Sequence, residues 1–172
     1  LNELPGIIID LRQNNGGQPL GLAGYLVDKD IPTGQDQYFS SKSGKFENQG
    51  VESKITPMEN TYKFDKMVLL VDQGCSSACE FEAYGFSQVP GMIVVGQYPT
   101  GGLYGDVARG QFILPEGISL QAPTGRTVMP DGKVLLEGVG VVPTDLVPVT
   151  AEAVLSGEDY VLNYAVNLIV GQ

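Results

Sequence analysis

An α/β fold with a parallel-rich sheet and flanking helices is predicted for this 172-residue chain by three observations. Three short runs, Gly6-Ile7-Ile8-Ile9-Asp10-Leu11, Met67–Val71 and Met92–Gly96, are apolar and rich in β-branched residues, as strands covered on both faces are. The intervening segments are long enough to cross over and carry helical patterns, which parallel pairing requires. Beyond Gly101 the texture changes to short alternating pieces, which predict an additional C-terminal β region.

The first strand ends in Arg12-Gln13-Asn14-Asn15-Gly16-Gly17, a turn of residues that tolerate positive φ. Leu20 to Val27 carries a helical apolar pattern. Asp28 to about Lys66 is polar and punctuated by Gly and Pro, predicting an excursion with strands around Tyr38-Phe39 and Lys45-Phe46 rather than a separate domain. Met67–Val71 leads into a helix over Ser76 to Gln88. Later, Asp106–Ala108, Gln111–Leu114, Ile118–Ala122 and Thr127-Val128-Met129 predict hairpins, and Thr124-Gly125-Arg126 and Pro130-Asp131-Gly132-Lys133 supply turns. Asp159 to Val170 closes the chain as an amphipathic helix.

Length and 42% hydrophobic content suffice for one core, so residues 1–172 are expected to form one domain. Twenty acidic residues against ten basic ones argue against a nucleic-acid partner, whose phosphates want a basic face. No run is long and apolar enough to span a membrane, and no secretory signal opens the chain. The start at Leu1, without Met, reads as the boundary of a piece of a longer protein.

Cys75 and Cys79 stand four apart and share a face if the segment is helical. The chain has no histidine and no further cysteine, so no metal site is expected. The favoured reading is two small buried side chains packed round a turn. A local disulfide or a redox role is the alternative.

Ser77, in Gly74-Cys75-Ser76-Ser77-Ala78-Cys79-Glu80, sits where a strand turns into a helix. A serine hydroxyl becomes a nucleophile only with a base and with donors for the oxyanion. A helix N-terminus supplies free N–H groups and a favourable dipole. Read alone, the position is more simply an N-cap, filled by Ser76 or Ser77. Asn15-Gly16-Gly17 would lie at the same sheet edge, where open α/β sheets bind ligands. An N–H of Gly16 or Gly17 could there join that of Ala78 in an oxyanion hole, although a plain tight turn explains the same glycines. Glu80, Asp10 and Arg12 are read as structural support, and Asp106 is a further carboxylate near the site.

Together these residues carry a resemblance. Asp10-Leu11-Arg12-Gln13-Asn14-Asn15-Gly16-Gly17 resembles the Asp-Leu-Arg-x-Asn-x-Gly-Gly signature of the tail-specific, or C-terminal-processing, serine proteases. Gly74 to Glu80 resembles their Gly-Ser-Ala-Ser-Ala-Ser-Glu nucleophile segment, with Ser77 at the catalytic serine. Val94-Val95-Gly96, Pro123-Thr124-Gly125-Arg126 and Glu137 to Asp145 follow in the family's order, so the likeness runs from about Gly6 to Asp145. One departure bears on mechanism: Gly102 stands where many members carry the lysine of a Ser-Lys dyad, and Lys66 and Lys133 lie in polar contexts. Pro99-Thr100-Gly101-Gly102-Leu103-Tyr104-Gly105 instead resembles the tricorn-like branch, which uses Ser, His and Glu.

The resemblance implies a crotonase-like core and hydrolysis of peptide bonds in polypeptide substrates. It assigns Ser77 as nucleophile, Glu137 as the carboxylate orienting a histidine, and Gly16, Gly17 and Ala78 as oxyanion donors. That histidine would come from an upstream segment of the same parent, absent here, making this chain the C-terminal part of a catalytic domain and inactive alone. It implies no cofactor or metal, and a location in the cell envelope or outside the cell. The alternative is a non-catalytic peptide- or ligand-binding module that keeps the peptidase fold, with an acyl-thioester hydratase or hydrolase as a weaker third.

Overall fold

The computed structural model describes residues 4–171. Strands β1 (Ile7–Asp10), β5 (Met67–Val71), β6 (Met92–Gly96) and β10 (Asp145–Leu146) form a parallel sheet in the order β1-β5-β6-β10. Between β1 and β5 come β2 (Ile31–Ser40), β3 (Lys45–Asn48) and β4 (Ser53–Ile55); between β6 and β10 come β7 (Gln111–Ile113), β8 (Ser119–Gln121) and β9 (Gly125–Val128). Helix α1 is Ala78–Ser87, α2 is Ala151–Ser156 and α3 is Tyr160–Val170.

The continuous apolar run of β5 is explained by cover on both faces. Met67, Leu69 and Val71 pack with Cys79, Ala83 and Phe86 of α1. Val68 and Leu70 point the other way, against Val161, Ala165 and Ile169 of α3. The period of two along the strand thus divides one run between two helices, and all five residues are buried. Helix α3 starts where Asp159 accepts the Leu162 amide at 2.9 Å and stops at Gly171, whose φ of 78° suits glycine.

Two expectations are corrected and one is extended. Leu20–Val27 is no α-helix: Gly21 takes a left-handed φ of 69°, which interrupts the segment, and only a 3-10 turn forms over Leu22–Tyr25. The Glu82 carboxylate accepts the amides of Leu20, Gly21 and Leu22 at 2.6, 2.8 and 2.8 Å at its start. The strands expected around Tyr38-Phe39 and Lys45-Phe46 form within β2 and β3, and the polar excursion adds β4 to them. Strand β2 is ten residues long and pairs antiparallel with β3, β4 and β9. Through β9 the β region after Gly101 is fastened to the excursion, and only the hairpin β7–β8 forms a sheet of its own. Cys75 and Cys79 are joined in a disulfide rather than free, their Cα atoms 5.4 Å apart, within bridging reach.

Arg12 ties the end of β1 to the start of α3. Its guanidinium donates to Asp10 at 2.9 and 2.7 Å and to Asp159 at 2.8 and 2.7 Å. Donation from Arg12 holds the Asp159 carboxyl below the usual carboxylate range. At Asp10 burial pushes upward, but the hydrogen bonds and charge of Arg12 together outweigh it. Because both folded-state values are depressed, the stabilisation is complete above the unfolded carboxylate value of about 3.9 and is lost as pH falls through the lower folded values. With both carboxylates more than a third exposed, Arg12→Met is expected to cost about 1 kcal/mol at pH 7. The gap between urea melts of the two proteins should shrink as the pH is lowered through the carboxylate range; a gap that stays constant in acid would refute the ion-pair account.

Candidate active site

The C-terminal ends of β1, β5 and β6 lie side by side, and the loop leaving each one contributes to a single site. Loop 72–77 leaves β5 and carries Ser77 at its end. Ser77 has φ 56° and ψ −125°, a conformation rarely adopted by residues other than glycine. Its side chain makes no cap hydrogen bond, and the residue is exposed. The expected helix start at Ser76 therefore moves to Ala78, and neither serine fills the role of side-chain cap. Ser76 instead directs its hydroxyl to the Asn15 carbonyl at 3.3 Å.

Loop 11–17, leaving β1, docks beside this turn. The Ser76 amide donates to the Asn14 carbonyl at 3.1 Å. Gly16, at φ 98°, sits so close that a Cβ there would lie 2.7 Å from the Ser76 carbonyl oxygen and 2.8 Å from the Ser77 Cβ. Glycine is required by both contact and conformation. The Gly16 amide already donates to Asn14 Oδ1 at 2.9 Å. The amides of Gly17 and Ala78 have no acceptor among the described residues, and both residues line the cleft that holds Ser77.

The third loop, residues 97–105 after β6, forms a strap across the turn. Gly101 donates to the Cys75 carbonyl at 2.8 Å, and Ser77 donates its amide to the Leu103 carbonyl at 3.0 Å. Two carboxylates hold the strap. Glu80, in the first turn of α1 and fully buried, accepts from the Thr100 hydroxyl at 2.6 Å and from the Gly102 and Leu103 amides at 2.8 Å each. Glu137 Oε2 accepts from the Tyr104 amide at 2.9 Å and from the Gly105 amide. Its Oε1 accepts nothing among the described residues.

The cleft measures about 450 Å³ and is walled by Ser77, Ala78, Phe81, Tyr104, Asp36 and Tyr38, among others. Ser77 and Ala78 thus lie in it directly, whereas Glu137 is half-buried behind Tyr104 and Gly105 and reaches the cleft through them. No lysine lines the cleft: Lys66 is bound to the Ile169 carbonyl at 2.7 Å and Lys133 pairs with Asp131. Neither cleft tyrosine offers a ready base. Donation to Asp106 pushes the Tyr38 phenol up to about 12, and burial pushes Tyr104 up to about 12. Asp106 also receives the Ala108 amide at 2.6 Å. Arg126, from the Pro123–Arg126 segment, donates to Gln37 at 3.0 Å and stacks on Phe46.

Glu80 behaves as the support read from sequence. The parts that sequence reasoning missed are backbone ones, chiefly the Leu103 carbonyl on Ser77 and the strap's amides on the two carboxylates. Glu82 was also missed as a buried acceptor, although a glutamate two residues after Glu80 on an otherwise apolar helix was the available signal.

The model of peptidase family S41 matches residues 1–147. No curated protein matches the chain in sequence. Among solved structures, mature CPAF complexed with lactacystin is similar at 16% identity and TM-score 0.73, over 98% of this chain and 45% of that one. A Parabacteroides merdae protein is 22% identical at TM-score 0.72, over 96% of this chain and 52% of its own. The tricorn protease is 20% identical at TM-score 0.62, over 97% of this chain and 15% of its own. The chain therefore spans about half the length of the first two structures it matches. With the parallel sheet, its flanking helices and the family match over most of the sequence, the chain belongs to peptidase family S41.

Proposed function

We propose that this chain carries the nucleophile of a serine peptidase acting on polypeptide substrates. The observation that carries the reading is Ser77 itself: an exposed hydroxyl, released from capping, on a left-handed turn between a buried strand and a helix N-terminus. Ser77 Oγ would attack the scissile carbonyl, and the oxyanion would be received by the Gly17 and Ala78 amides, which have no acceptor among the described residues. The Gly16 amide, occupied by Asn14, serves instead to let the two loops approach.

A base has to take the Ser77 proton and return it to the leaving amine, after which water hydrolyses the acyl-enzyme. The chain contains no histidine, and the two lysines considered for the role are bound elsewhere. We assign the base to a histidine from an upstream segment of the parent protein, with this chain as the C-terminal part of the catalytic domain. Glu137 would orient it: Oε2 is fixed by two strap amides, and Oε1 remains to accept an imidazole N–H. The buried disulfide suits an oxidising compartment, in keeping with a cell-envelope or secreted location. Among the described residues no helix is long and apolar enough to cross a membrane.

Labelling of the full-length protein with a fluorophosphonate, followed by peptide mapping, is expected to place the label on Ser77. Ser77→Ala should abolish it, Glu137→Gln should slow it by about 10²-fold or more, and the 172-residue chain alone should label at a small fraction of the parent's rate. A folded parent that takes no label would support the binding-module reading instead. The strap carries its own expectation. Glu80→Ala leaves a buried hydroxyl, the buried Gly102 amide and the part-buried Leu103 amide without an acceptor, and should cost about 3 kcal/mol or more in urea unfolding. A loss within about 0.5 kcal/mol, the range of ordinary surface substitutions, would contradict its assigned role.

A further inference from the structure

We propose that the Cys75–Cys79 disulfide is the positioning device of Ser77, so that the nucleophile turn is fully assembled only in the oxidised protein. The proposal rests on Ser77 being the nucleophile.

The bond closes a ring over residues 75–79, and Ser77 is its central residue. Ser77 needs such a constraint. Its backbone lies in a region that disfavours a serine side chain, and no side-chain cap compensates. A relaxed alternative is at hand: with right-handed geometry at residue 77, α1 would begin earlier and Ser76 would cap it, a role serine fills well. That rearrangement would withdraw the hydroxyl from the cleft.

Both ends of the ring also anchor the strap. The Cys75 carbonyl accepts the Gly101 amide at 2.8 Å, while Cys79 is followed directly by Glu80, which takes Thr100, Gly102 and Leu103. Fixing Cys75 to Cys79 therefore fixes the two points between which the strap is hung and from which Leu103 meets the Ser77 amide.

Location separates this role from that of a general staple. A ring this short removes little entropy from the unfolded chain, so its influence is local. Both cysteines are buried, with relative exposures of 0% and 2%, and in the reduced state they would still fill the same core as small apolar groups. Reduction by a dithiol transfers two electrons and two protons to the cystine, giving two thiols while the dithiol becomes a disulfide. Because both cysteines are buried, attack requires the turn to open first.

The test compares the full-length protein in three forms: oxidised, reduced by a dithiol, and Cys75→Ala/Cys79→Ala. Alkylation of the denatured oxidised form should modify neither cysteine. Loss of the bond should accelerate amide hydrogen exchange across residues 74–80 and 100–105 by about tenfold or more, with residues 67–71 and 92–96 unchanged. The limiting rate of Ser77 acylation by a fluorophosphonate should fall by about tenfold or more, with the half-saturating probe concentration unchanged. Unchanged exchange and acylation, exchange that rises equally in the core strands, or two alkylatable cysteines in the oxidised form would each overturn the proposal. Exchange that responds as expected in a protein never acylated at Ser77 would sink the nucleophile assignment while supporting the hold of the bond on the turn.

Discussion

A carboxylate with no exposure to solvent, three residues past Ser77, has to be matched by donors or it destabilises the fold. Glu80 is matched three times, by a hydroxyl and two backbone amides of one loop, and it lies in the first helical turn, where the dipole favours negative charge. This interaction couples the β5–α1 unit to the segment leaving β6. Once the strap is drawn onto Glu80, the Leu103 carbonyl faces the Ser77 amide, and the next two amides, Tyr104 and Gly105, reach Glu137. Four consecutive strap amides thus end on two carboxylates, and the residues read as reactive are arranged round them.

The parallel sheet explains why these parts can meet. Strands β1, β5 and β6 run the same way with residues 7, 67 and 92 in register, so their exit loops emerge at one edge. Buried faces on both sides leave that edge as the place where the polar groups of the loops can satisfy one another. Arg12 joins Asp10 to Asp159 near the end of β1 and so couples α3, from the opposite face, to the same edge. The chemistry of the site is then set by short-range fits: Gly16 against Ser77, Asn14 against Ser76, Leu103 against Ser77.

Much of this was readable from residues. The runs at Ile7, Met67 and Met92 are apolar on both faces and gave the sheet, and the strand-to-helix step gave the place of Ser77. What escaped reading were interactions with no local signature. Leu20–Val27 carries a helical apolar pattern, but Gly21 turns left-handed, and Glu82, some sixty residues away, holds the bent segment by three of its amides. Strand β2 looks polar because it buries side chains only at its start, Ile31 and Thr33, and is held along the rest of its length by pairing partners. The occupation of the Gly16 amide depends on where Asn14 turns its side chain. The pairing of Cys75 with Cys79 depends on the left-handed turn between them, which spacing alone does not reveal.

The central proposal is that Ser77 is held beside the Gly17 and Ala78 amides, which have no acceptor among the described residues, ready to form a tetrahedral adduct. A crystal structure of the full-length protein with a peptidyl boronate tests it most directly. The account predicts a covalent bond from Ser77 Oγ to boron, with one boronate oxygen about 3 Å from the amides of both Gly17 and Ala78. An adduct whose oxygen meets the Gly16 amide instead, or a boronate left unbonded beside a Ser77 that has turned to cap α1, would contradict it.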